Sequence, residues 1–132
     1  MHVLVAAEKI LNEIITEILD EIGVTVTAVE PAFNKNNILK ALKQEPYDLV
    51  ILTNSDLSPH ELPSLAEQIK LEYPAIKIII ASGFVTNGLV NSLAVEGIDV
   101  FMMLPFKIVE LQAVVRRVLR IESAINTSTY QT

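Results

Sequence analysis

The sequence predicts an α/β domain built on a parallel sheet with helices on both faces, and three observations predict it. Short apolar runs alternate five times with stretches whose apolar residues recur at i, i+3 and i+4. Turn formers such as Gly23, Pro31, Pro59, Pro74 and Gly97 stand where one period gives way to the other. The fourth run, "IKIIIAS", is nearly continuous in Ile, as a strand covered on both faces should be.

Each element follows in order. "HVLVAA" (2–7) is a short apolar strand. Residues 8–22 then carry Ile10, Leu11, Ile14, Ile15, Ile18, Leu19 and Ile22 as a helical stripe, which Gly23 is placed to stop. "VTVTAV" (24–29) alternates β-branched residues, and "PAFNKNN" reads as a turn. Ile38, Leu39, Ala41 and Leu42 mark a shorter second helix. "DLVILT" (48–53) is the third strand, and Leu62, Leu65, Ala66 and Ile69 mark a helix that stops before Pro74. After "IKIIIAS" (76–82), Leu89, Val90, Leu93 and Ala94 give a fourth helix ended by Gly97. "VFMML" (100–104) is the fifth strand. The fifth helix uses Ile108, Leu111, Val114, Val115, Val118, Leu119 and Ile121.

Right-handed crossovers then give a flavodoxin-like doubly wound fold: five parallel strands in the order 2-1-3-4-5, with five helices. The 132 residues suit one domain, read as 1–125, with 126–132 ("NTSTYQT" from Asn126) as a polar tail or the start of a linker. In such sheets sites lie beyond the carboxyl ends of the strands. Those positions are Ala6 to Glu8, Thr53 to Asp56, Ser82 to Phe84, and Leu104 to Phe106.

Composition narrows the function classes. The chain is 51% hydrophobic but only 5% aromatic, so its core is aliphatic. Mean hydropathy is +0.43, yet no apolar run approaches the roughly 20 residues that span a bilayer. The opening "MHVLVAAEKI" lacks the basic segment of a secretory signal. Cysteine is absent, which excludes disulfides and thiolate chemistry. A net charge of −6 argues against nucleic acid as a partner. The expectation is a soluble cytoplasmic protein, with no membrane association. Its charge is unevenly spread: Glu8, Glu13, Glu17, Asp20 and Glu21 crowd the first helix, and Arg116, Arg117 and Arg120 the last.

Three stretches carry a resemblance to a known family. "EGIDVFMMLPFKIVEL" (96–111) resembles a run of Gly-Ala-Asp-Asp-Tyr-Leu-x-Lys-Pro-Phe followed by a helix start with Glu-Leu. "YDLVILT" resembles Pro-Asp-Leu-Val-Leu-Leu-Asp, and "KIIIAS" resembles a strand ending in Thr or Ser. In these motifs, and in the order and spacing of all five strands, residues 2–121 resemble a receiver domain of the bacterial response-regulator family, part of two-component signal transduction.

The resemblance implies transfer of a phosphoryl group to an aspartate. That chemistry needs magnesium held by acidic groups, a lysine on the phosphoryl oxygens and a hydroxyl beside them. Position by position, the acid pair falls on Ala6 and Ala7, the phosphoacceptor on Thr53 and the hydroxyl on Ser82. The lysine falls on Leu104, ahead of Pro105, and the aromatic switch position falls on Phe101. Glu8 matches a third acidic residue that commonly follows the pair. Sliding the first strand by one would put Glu8 on the second acidic position, but would bring Thr16 where the stripe requires Ile15. Methyl groups cannot coordinate magnesium, leucine cannot neutralise a phosphate, and no evident base activates Thr53. The expectation is a pseudo-receiver with a degenerate pocket, no magnesium and no enzymatic activity.

Other residues are weaker candidates. Asp56 is the one carboxylate in the loop after the third strand; turn residues are often Asp for backbone hydrogen bonding alone. Asp48 lies at the amino edge. His2 and His60 fall on opposite edges and have no second ligand at metal spacing. "ASGFVTNG" lacks the spacing of a phosphate-binding loop.

In receivers, the face made by the fourth helix, fifth strand and fifth helix commonly docks partners or a second copy. Here it would offer Asn87, Asn91, Val95, Phe101, Arg116, Arg117 and Arg120. The expected function is phosphorylation-independent regulation through protein–protein interaction, with a protein partner or a homodimer on that face. Two alternatives stay open: a small-ligand sensor using the carboxyl-edge pocket, and a receiver phosphorylated at the displaced carboxylate of Asp56.

Overall fold

The computed structural model describes residues 1–29, 35–53, 61–82, 99–103 and 106–120, the backbone alone at 61–63, 82, 101 and 103. Five strands appear: β1 (His2–Ala6), β2 (Thr25–Val29), β3 (Leu49–Thr53), β4 (Lys77–Ser82) and β5 (Val100–Met103). Four helices are described: α1 (Lys9–Asp20), α2 (Lys35–Gln44), α3 (Glu61–Glu72) and α4 (Ile108–Leu119). The sheet runs β2-β1-β3-β4-β5 and every pairing is parallel, as the alternating pattern predicts. The stretch read as the fourth helix, with Leu89, Val90, Leu93 and Ala94, lies outside the described residues, so α4 is the helix read as the fifth. Ile121 also lies outside.

Strand alternation sorts the apolar residues into two cores. Leu4, Ala6, Val50, Leu52, Ile78 and Ile80 pack against Ile38 and Leu42 of α2 and Leu65, Ala66 and Ile69 of α3. Val3, Val5, Leu49, Ile51, Ile79 and Ala81 face the other way, onto Ile15, Ile18 and Leu19 of α1 and Leu111, Val115 and Leu119 of α4. All five residues of β3 are buried, because it lies in the middle of the sheet with helices over both faces. Each fully buried Leu or Ile contributes roughly 2 kcal/mol. The edge strand β2 keeps Thr25 and Ala28 exposed.

The helical stripes need two corrections. Ile10 and Ile14, read as core, are exposed at 69% and 45%, and Asn12 is buried instead. Leu11, Asn12, Ile15, Ile18, Leu19 and Ile22 span the inward arc of α1; Ile10 and Ile14 lie beyond its edge. Ile108, also read as core, is 55% exposed because it sits in the first turn of α4, ahead of the inward row of Leu111, Val115 and Leu119. Gly23 follows α1 with φ of +79°, a left-handed conformation that suits glycine, and its N–H reaches the Asp20 carbonyl at 3.0 Å.

The amino edge of the sheet is tied by one residue. The His2 N–H donates to Asp48 Oδ2 (2.8 Å), its Nε2 meets Thr27 Oγ1 (2.7 Å) and its Nδ1 meets Glu45 Oε1 (3.0 Å). Its ring also lies 4.4 Å from that of Tyr47. Farther along that edge, Asp99 accepts from the Ile78 N–H (2.8 Å) and from Lys70 Nζ (3.2 Å).

Candidate functional site

The register brings the expected positions to one edge. Ala6 lies beside Leu52, Thr53 beside Ala81 and Ser82 beside Met103, so the carboxyl ends of β1, β3, β4 and β5 form a continuous rim. Leu104, Pro105 and Asp56, assigned to this rim by sequence, lie outside the described residues.

The rim is apolar where it meets β1. Ala6 is 1% exposed and belongs to the α2–α3 core; Ala7 is fully buried in the α1–α4 core. Thr53 is buried too, and its hydroxyl donates to the Ala6 carbonyl at 3.2 Å. Neighbouring strand ends are thus joined by a side chain as well as by the ladder. Glu8 is exposed and opens α1 from an extended backbone, its side chain capping nothing; the helix is entered through the Glu8 carbonyl, which accepts from the Asn12 N–H at 2.8 Å.

Asn12 is the residue that sequence reasoning missed. Its Nδ2 donates to the Ala7 carbonyl at 2.7 Å and the Val29 carbonyl at 3.4 Å, linking the ends of β1 and β2 to the first turns of α1. Its Oδ1 has no hydrogen-bond partner among the described residues. The available signal was a lone amide inside "KILNEII", three residues before Ile15, on the inward side of the helical wheel. Thr16 turns its hydroxyl back to the Asn12 carbonyl (2.7 Å).

The residues assigned to an interaction face divide. Phe101 pairs along β5 with Ile80 of β4. Arg117 and Arg120 are exposed and, with Lys77, Asp99, Val100 and Val118, line a shallow hollow of about 250 Å³ at the amino edge. Arg116 is half-buried and lies a hundred degrees round the helix from Arg117, toward α1. Arg120 ends α4 in the left-handed conformation, φ 58°. Asn87, Asn91 and Val95 lie outside the described residues. Among the described residues no group of three or more His, Cys, Asp or Glu could hold a metal ion, and no helix is long and apolar enough to cross a membrane.

No family model matches the sequence, and no curated protein matches it. Solved structures do match. A response regulator from Thermotoga maritima superposes with a TM-score of 0.80 at 22% identity, covering 90% of this chain and 97% of that one. An orphan response regulator of H. pylori gives 0.80 at 21%, over 91% and 97%. NtrX from Brucella abortus, solved in complex with ADP, gives 0.77 at 23%, over 90% of this chain and 26% of that one, so this chain spans about a quarter of NtrX. With the strand order, the two cores and the rim already in place, this chain has the fold of a response-regulator receiver domain.

Proposed function

We propose that the chain is a receiver-fold signalling module that takes up no phosphoryl group and acts through protein contacts. The observation that carries this reading is the state of the β1 and β3 ends. On the family resemblance, Ala6 and Ala7 stand where an acid pair would be, and Thr53 where the phosphoacceptor would be. Ala6 and Ala7 are buried methyls, and the Thr53 hydroxyl is engaged with the Ala6 carbonyl. A magnesium ion wants about six oxygen ligands in near-octahedral array, usually with one or two carboxylates among them. The described residues do not fit it, since the acid that neighbours the site among them, Glu8, is a single exposed carboxylate. A buried threonine with no base beside it among the described residues is a poor nucleophile. No phosphoryl-transfer step is therefore assigned, and the module is proposed to be non-enzymatic.

Removing the acid pair also removes the like-charge repulsion that a receiver pocket carries without its cation. One packed state then needs no ion to hold it, and switching has to come from a bound partner. The docking surface proposed is β5 with α4, where Arg117 and Arg120 stand exposed, together with Asn87, Asn91, Val95 and Phe101.

The test is an amide NMR titration with magnesium, followed by beryllofluoride as a phosphoryl mimic. The expected result is no saturable shift at Ala6, Ala7, Thr53 or Ser82. Saturable shifts there, abolished by Asp56→Asn or Glu8→Gln, would overturn the proposal and restore a phosphorylated switch.

A further inference from the structure

Four aliphatic side chains stand in water along one seam of the molecule. Ile10 and Ile14 on α1 are 69% and 45% exposed; Ile108 and Val109 on α4 are 55% and 73% exposed. The two helices are set level by Gln112, whose Nε2 donates to the Ile18 carbonyl (3.0 Å) and Glu21 Oε1 (2.9 Å). Both run from the carboxyl edge to the amino edge: α1 connects two parallel strands, and the end of α4 lies beside Lys77 and Asp99. One turn back from Ile18 is Ile14, and one turn back from Gln112 is Ile108, so these two come level across the seam. Ile10 and Val109 extend the patch. A single exposed aliphatic residue is ordinary; four on two adjacent helices call for a covering surface.

Below the patch the seam carries both signs of charge. Glu17 and Glu21 continue down the flank of α1 that begins with Ile10 and Ile14, while Arg116 continues down α4 from Gln112. The apolar part is shared between the helices, and the charges are divided between them.

We propose that a second copy of this chain docks on the α1–α4 seam, each α1 lying against the other copy's α4 about a two-fold axis parallel to the helices. That operator sets Ile14 against Ile108 and Val109, and Glu17 against Arg116, twice in each dimer. Charge selects this occupant. An acidic flank beside a basic one is complementary to itself when turned over, whereas a partner of one sign would meet a like charge on one of the helices. The seam uses the flank of α4 that carries Gln112 and Arg116, and the β5–α4 surface uses the flank that carries Arg117 and Arg120, so failure here and failure of the proposed function give different readings.

The test is sedimentation equilibrium over a wide concentration range, on wild type and on variants at these surface positions, with thermal unfolding to verify that each is folded. The expected result is a wild-type dimer whose dissociation constant rises about tenfold or more with Ile14→Asp or Ile108→Asp, the equivalent of about 1.4 kcal/mol. Glu17→Arg and Arg116→Glu should each weaken the dimer, and the two together should bring the dissociation constant back to within about threefold of wild type. A monomer at every concentration would overturn the proposal and give the seam to a different protein. So would a dimer indifferent to both aspartate substitutions, or a charge swap that fails to restore association.

Discussion

The Thr53 hydroxyl donates to the Ala6 carbonyl at 3.2 Å, so the two strand ends that a receiver would furnish with carboxylates are fastened by a neutral hydrogen bond. Thr53→Val keeps the shape and loses that bond, at a cost of about 1 kcal/mol. Thr53→Asp puts a carboxylate against a carbonyl oxygen in a site only 5% exposed, at a cost of about 3–5 kcal/mol at neutral pH. Such a carboxyl would titrate above its usual range in the folded state. Stability lost in Thr53→Asp should therefore return as pH falls through the folded value, because the protonated acid can donate as threonine does. Urea unfolding of the two variants at neutral and acid pH checks the order and the sign.

Asn12 sets up a second prediction. Its amide ties the Ala7 and Val29 carbonyls to α1, so Asn12→Ala should cost about 2 kcal/mol through the lost bonds and the two carbonyls left short of a donor. Asp20→Ala, on the exposed side of the same helix, should stay within about 0.5 kcal/mol. Chemical denaturation of both variants makes the comparison; equal costs would show that Asn12 is only a surface amide.

Alkaline pH should act through Tyr47. Burial raises its hydroxyl above the ordinary value of 10.0, and the charge on Glu45 adds to that. As pH climbs through 10.0 the unfolded chain loses the proton first and the folded chain keeps it, so stability falls across that window and is complete below it. Tyr47→Phe removes the group and should flatten this part of the stability profile, measured as thermal midpoint against pH.

At the same edge, Asp99 should matter more than its ion pair. Lys70 and Asp99 are 22% and 26% exposed at the side chain, where a pair contributes less than about 1 kcal/mol. Asp99 also accepts from the Ile78 backbone N–H at 2.8 Å. Asp99→Ala should therefore destabilise by about 2 kcal/mol or more, and Lys70→Met by less than half of that. Raising the salt concentration should lower stability only slightly in the wild type.

Much of the fold was legible because strand periodicity and turn chemistry agree along this chain. "DLVILT" and "IKIIIAS" read as buried strands and are β3 and β4, within a residue at each end. The helix facing was less legible. Seven aliphatic residues crowd α1 and the turn after it, more than one inward arc can hold, and hydrophobicity alone does not say which are surplus. The structure leaves out Ile10 and Ile14 and admits Asn12, whose amide is needed by two carbonyls that sequence does not reveal. At the site, the absence of charge at Ala6 and Ala7 could be read directly. The engagement of Thr53 with Ala6 could not, since it depends on strands 47 positions apart meeting in register. The three arginines read as one cluster, but consecutive residues on a helix point a hundred degrees apart, and Arg116 parts from Arg117.

The Gln112 contact with Ile18 spans 94 positions, and it orders events in time. A chain emerging amino end first can assemble the α2–α3 side from residues 4–80 while the rest is still being made. The opposite side cannot close that early, because Leu111, Val115 and Leu119 arrive last and form its lid. Until then Val5, Ile15, Ile18 and Ile51 have no helix over their far flank. The half-made molecule is a sheet dressed on one side and covered by α1 alone on the other, and it stays so until α4 emerges.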